Sequence, residues 1–124
     1  MVRVMNKNKE STRYFSDAQE KAVCKALGAT QQPNSGAGHW RKGDCVIHDA
    51  SLLLECKTST SEKSSYSVKR ETLEKTKEEA HSNRLLSSCL CFDFGPHTDR
   101  YYVIDEKMMK FLVEKLKEDC RCFV

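Results

Sequence analysis

Gly43-Asp44 is followed eight residues later by Leu52-Leu53-Leu54-Glu55-Cys56-Lys57, an apolar strand that ends in a carboxylate and an ammonium. Side chains alternate across a strand, so Leu53, Glu55 and Lys57 point to one face while Leu52, Leu54 and Cys56 point to the other. Two opposite charges therefore share a face with a leucine. Charge beside buried apolar surface is costly unless it is paired or binds a metal, which makes this strand end a candidate site.

Upstream, Ser16-Asp17-Ala18-Gln19 has the form of a capping box, predicting a helix from there to about Leu27 with Gly28 closing it. Val23, Cys24 and Leu27 follow Glu20 at i+3, i+4 and i+7, so Glu20 lies on the apolar stripe. A carboxylate in a first helical turn suits the helix dipole; alternatively, Glu20 reaches over the sheet edge into the site. Residues 1–14 are basic and aperiodic and read as a flexible N-terminal arm, leaving 15–124 as a single domain.

A strand is expected near Ala29 to Gln32, then a loop, Pro33-Asn34-Ser35-Gly36-Ala37-Gly38, leading into His39-Trp40-Arg41-Lys42. This loop fits neither a P-loop nor a dinucleotide fingerprint, so no nucleotide cofactor is expected. Its amides and bases suit a phosphate backbone, making Ser35, Gly36, His39, Arg41 and Lys42 the candidate DNA contacts. Cys45 to His48 and Leu52 to Cys56 read as a hairpin turning at Asp49-Ala50-Ser51. A mostly polar helix is expected from about Val68 to His81, capped by Ser67 and anchored by Leu73 and Ala80. Two strands, Ser88 to Phe94 and Tyr101 to Ile104, flank Gly95-Pro96. A last helix capped by Asp105 runs to about Lys117, with Ile104 and Met109 as a hydrophobic staple and Met108, Leu112 and Leu116 as its core stripe.

The 124 residues suit one domain, and a 31% charged chain with a mean hydropathy of -0.64 lacks the roughly 20-residue apolar run of a membrane span. The Met1 to Lys9 segment has no apolar core of the secretory kind. The net charge of +3 divides unevenly, with 12 Lys/Arg against 7 Asp/Glu over residues 1–70 and 9 against 11 over 71–124. A positive first half is compatible with a polyanionic partner. Seven cysteines lie within apparent strands and helices, an odd number that reads as reduced thiols in an intracellular, cytoplasmic setting. Cys89-Leu90-Cys91 and Cys120-Arg121-Cys122 lack the spacer of zinc pairs and read as small buried hydrophobes.

Glu20, Asp44, Glu55 and Lys57 thus form a set of oxygen ligands and an amine that suits Mg²⁺ or Mn²⁺ and phosphodiester hydrolysis. In order and type, these residues resemble the PD-(D/E)XK nuclease superfamily, and within it the archaeal-type Holliday junction resolvases and their phage and bacterial relatives. The resemblance spans about Phe15 to Leu116, and the 34–38 loop with Lys42-Gly43-Asp44 looks like the phage-type members, so a virus-encoded origin is one expectation. Gly43 stands where the motif name has proline. The resemblance implies an α/β fold with a restriction-endonuclease-like core, a central mixed sheet flanked by helices in the order α-β-β-β-α-β-β-α. It also implies metal held by Asp44, Glu55 and the Cys56 backbone carbonyl, with Glu20 acting directly or through water and Lys57 serving the attacking water. The function so implied is a Mg²⁺-dependent endonuclease of four-way DNA junctions working as a homodimer, with Mn²⁺ able to substitute. Another nuclease of the superfamily, an exonuclease or a nickase, and a non-catalytic DNA-binding module of the same fold remain the alternatives.

Overall fold

The computed structural model describes residues 3–32 and 44–119, with side chains from Tyr14 onward in those ranges. Helix α1 (Arg3–Leu27) leads into strand β1 (Thr30–Gln31); β2 (Asp44–Ile47) then turns through a short 3-10 segment into β3 (Leu52–Lys57). Helix α2 (Arg70–Ser82) crosses to β4 (Ser87–Phe92), and β5 (Tyr101–Val103) and α3 (Glu106–Glu118) complete the chain. The sheet order is β1-β2-β3-β4-β5, with β3 and β4 parallel and the remaining neighbours antiparallel. The single parallel pair is a consequence of the chain between its strands, since parallel neighbours need a long crossover and α2 supplies it. This is an open, mixed α/β sheet with the expected element order.

Alternation along β3 sorts the core into two layers. Leu54 and Cys56 join Cys45, Cys89, Cys91 and α1 residue Val23 on one face, while Leu53 joins Val46, Leu85 and α2 residue Ala80 on the other. Leu53, Leu54 and Leu90 are almost completely buried, each contributing about 2 kcal/mol by removing apolar surface from water.

Three local expectations need correction. The helix begins at Arg3, so the backbone over the supposed arm is helical and Ser16 lies inside the helix instead of capping it. Helix α2 begins after Lys69, with no side-chain cap, where Ser67 was expected to serve. Helix α3 buries none of its residues: of the stripe read as core, Leu112 and Leu116 are exposed and Met108 is only half-buried. Periodicity reports that a helix has an apolar side and carries no information on what covers it.

The end signals fare better. Gly28 adopts a positive φ of 69°, and the Ala29 N–H donates to the Cys24 carbonyl at 3.1 Å, the closing bond of a Schellman motif. The Asp105 side chain accepts from the Met108 N–H at 2.9 Å, as an N-cap should.

Candidate metal centre

Asp44 opens β2 and stands directly across from Glu55 of β3 in the antiparallel register. Cross-strand partners share a face at close range, and two like charges so placed repel. Helix α2, lying over that same face, adds a third carboxylate, Glu79. One oxygen from each of Asp44, Glu55 and Glu79 lies within 4.8 Å of the others, and the three residues are buried, with Asp44 wholly inaccessible.

Three carboxylates this close in a dry setting cannot all keep a negative charge cheaply. Burial, then hydrogen bonding to Glu79 and Glu55 and their charges, pushes the Asp44 carboxyl up to about 10. A proton or a cation must therefore sit among them. Glu55 Oε1 takes an ion pair from Lys57 Nζ at 3.1 Å, while Glu55 Oε2 is buried with no hydrogen-bond partner among the described residues. All three acids offer hard oxygen ligands, so Asp44, Glu55 and Glu79 together could hold a metal ion of the kind that hard donors favour.

Lys57 follows Glu55 by two residues on one strand face, and its side chain is about half exposed. The strand end carrying it is held by a buried hub. Gln19 Nε2, from α1, donates to the Lys57 carbonyl at 3.0 Å and to Asp93 Oδ2 at 3.1 Å. Asp93 also accepts from Thr58 Oγ1, the Ser59 N–H and the Gly95 N–H, at 3.0, 3.0 and 3.2 Å. Backbone and side-chain donors on both carboxylate oxygens fix the chain just beyond Lys57.

The structure thus brings together Asp44, Glu55 and Lys57 but not Glu20. Glu20 is buried, as its place on the stripe predicts, but α1 packs against the opposite sheet face. There Gln31 Nε2 donates to Glu20 Oε1 at 3.2 Å, and Gln31 shares the face of Cys45, its register partner. The helix acid of the cluster is Glu79 instead. A signal for it exists: Thr76, Glu79 and Ala80 fall at i, i+3 and i+4, which rotates Glu79 toward the sheet and Glu78 toward solvent. Asp93 has its own signal, an aspartate two residues before a glycine, which is the geometry of an Asx turn.

The Cys56 thiol belongs to the α1 face. Its neighbours form a row, with Cys24 Sγ 3.6 Å from Cys45 Sγ and Cys45 Sγ 3.9 Å from Cys56 Sγ, all free. Burial and neighbouring thiols raise Cys24 to about 11 and Cys89 to about 12, so both are protonated at neutral pH. These thiols pack as small hydrophobes, while Cys120 and Cys122 lie outside the described residues. So do Ser35, Gly36, His39, Arg41 and Lys42, the expected DNA contacts. Among the described residues, no helix is long and apolar enough to cross a membrane. Comparison with protein-family models, curated proteins and solved structures finds no match to this chain.

Proposed function

We propose that this chain is a Mg²⁺-dependent, structure-selective endodeoxyribonuclease of the PD-(D/E)XK kind, with a Holliday junction resolvase as the specific reading. The observation that carries the proposal is the pairing of Asp44 and Glu55 across two strands, with Glu79 closing over them and Lys57 paired to Glu55. The mixed sheet with helices on both faces supports a restriction-endonuclease-like core without deciding the substrate.

In this reading Asp44, Glu55 and Glu79 hold the ion. When bound there, Mg²⁺ or Mn²⁺ supplies Lewis-acid polarisation of a phosphodiester and offsets the charge that grows as it is attacked. Glu55 keeps the Lys57 ammonium next to the carboxylates, where it orients water and neutralises charge on the phosphate oxygens. The Gln19–Asp93 hub limits the wander of that amine by fixing its backbone. Cutting two strands symmetrically requires two such sites, so the acting species is a homodimer.

The deciding experiment incubates purified protein with a labelled immobile four-way junction and a matched linear duplex, in Mg²⁺ or EDTA, beside Lys57→Ala. Paired nicks confined to the junction and abolished by EDTA and by the substitution are expected. Equal cutting of the duplex would replace the resolvase reading with a general nuclease. Tight junction binding without cutting in either Mg²⁺ or Mn²⁺ would replace it with a non-catalytic DNA-binding module.

A further inference from the structure

Next to Lys57 lies a cavity of about 410 Å³ that the acidic cluster does not use. Its walls carry three ammonium groups, Lys57, Lys63 and Lys69. Lys57 is paired to Glu55, which places the cavity immediately beside the candidate metal centre. Lys63 and Lys69 make no ion pair among the described residues. Lys75 and Lys77, farther along α2, are instead paired to Glu71 and Asp105. The remaining lining is hydroxylic, from Tyr66 and from Ser65, Ser67 and Thr72, and no carboxylate lines the cavity. Ammonium and hydroxyl donors on walls that no carboxylate lines match an acceptor-only anion.

One wall is also held in place, at Tyr66 and along the Lys63 backbone, while the Lys63 and Lys69 side chains are exposed. Tyr66 stacks on Phe92 with ring centroids 4.4 Å apart and planes 12° from parallel, and Phe92 in turn stacks on Tyr101. Its phenol is raised above the usual range, mainly by burial, and so remains an O–H donor. The Lys63 N–H donates to the Phe94 carbonyl at 2.8 Å, and Ser59 is tied to Asp93. Between these anchors the chain packs on Gly95: a Cβ there would fall 2.7 Å from Glu62 Cα. A wall already ordered at Tyr66 and the Lys63 backbone spares a ligand part of the entropic cost of ordering it.

We propose that this cavity is a phosphate cradle, in which Lys63, Lys69 and the Tyr66 hydroxyl bind a backbone phosphate of the DNA strand lying beside the metal centre. The identity of the strand rests on the nuclease reading above; the anion chemistry does not. The cradle positions the substrate and holds no ion, so it acts on affinity and salt dependence before it acts on the chemical step.

The test compares wild type with Lys63→Ala/Lys69→Ala, with Tyr66→Phe, and with the charge-matched control Lys75→Ala/Lys77→Ala. Binding of a fluorescent four-way junction is followed by anisotropy in EDTA over a salt series. The cradle double variant should bind roughly tenfold more weakly at moderate salt, with a log–log salt slope shallower by about one to two, whereas the control should stay close to wild type. In parallel, inorganic phosphate titrated into ¹⁵N-labelled protein should shift the Ser65, Tyr66, Ser67 and Thr72 amides saturably in wild type and not in the cradle variant. If junctions are cut normally while the cradle variant and its control bind alike, the cradle is wrong and the nuclease reading stands. If phosphate shifts these amides in a protein that cuts no DNA, the cradle stands and the nuclease reading falls. Absence of the phosphate shifts in wild type overturns the cradle in either case.

Discussion

Replacing Asp44 by asparagine should separate the proton from the metal in the acidic cluster. With its carboxyl raised from 3.8 to about 10, Asp44 in the folded protein holds a proton that the unfolded chain has released through the whole interval between those values. The unfolded state then binds fewer protons than the native one, so apo stability falls as pH rises, by at most about 1.4 kcal/mol per pH unit. The stabilising contribution is fully present below 3.8 and is lost as pH climbs toward about 10. From about pH 6 to about pH 8 the wild-type apo protein should lose up to roughly 3 kcal/mol, or on the order of 10 °C in Tm. Asp44→Asn cannot ionise there and should be nearly flat across the same range. Mg²⁺ competes with the proton, so its stabilisation of wild type should grow with pH, with affinity rising up to about tenfold per unit, and should be almost absent from the variant. Urea or thermal melts at several pH values, in EDTA and in Mg²⁺, read both effects. Parallel pH curves for the two metal-free proteins would refute the cluster electrostatics, and failure of Mg²⁺ or Mn²⁺ to stabilise wild type at the alkaline end would refute the metal assignment.

The other predictions bear on the neighbours of that cluster. Glu79→Gln should lower Mg²⁺-dependent cleavage by roughly a hundredfold or more, while Glu20→Gln, on the other sheet face, should cost less than about tenfold; the reverse order in a cleavage assay would return the helix role to Glu20. Asp93→Ala leaves four donors without their carboxylate and should destabilise the fold by about 3 kcal/mol in urea unfolding, an unchanged midpoint contradicting the hub. Native alkylation at neutral pH should spare Cys45, Cys56, Cys89 and Cys91 and label all of them once the chain is unfolded, which mass spectrometry can count; ready native labelling would contradict their burial. Sedimentation should return a species of twice the 14.2 kDa chain, and a monomer that still cuts junctions in pairs would undo the dimer expectation.

Much of the sheet was legible because its signals are local. Leu52 to Lys57 alternate so that Glu55 and Lys57 share a face, and the ion pair between them bears this out. Gly28 and Asp105 end and begin helices through backbone geometry that only a few residue types serve. The partner that covers each apolar face is not local information. The apolar stripe of α3 is real in the sequence, yet Leu112 and Leu116 are exposed, because burial depends on what lies opposite the helix and no window along the chain contains that information. Helix α1 shows the same limit at its start: a favourable capping box at Ser16 lost to continued helix from Arg3.

The site was half legible, and the missing half follows from helix geometry. Strand chemistry carries little ambiguity, since a residue lies on one face or the other; parity put Glu55 on one face with Lys57, and the Gly43-Asp44 pattern supplied Asp44. On a helix each step rotates the side chain by about 100°, so adjacent residues address different neighbours. In α1 the choice lay between Gln19 and Glu20. Both are buried, and it is Gln19 that reaches the Lys57 strand end while Glu20 turns to Gln31. In α2 it lay between Glu78 and Glu79, identical in type, of which only the second is buried. The acidic cluster thus takes its helix carboxylate from α2, where the family resemblance led to the expectation of one from α1. A three-carboxylate site needs acids on one face at one edge of the sheet, and which helix delivers the third is decided by the face on which each helix packs.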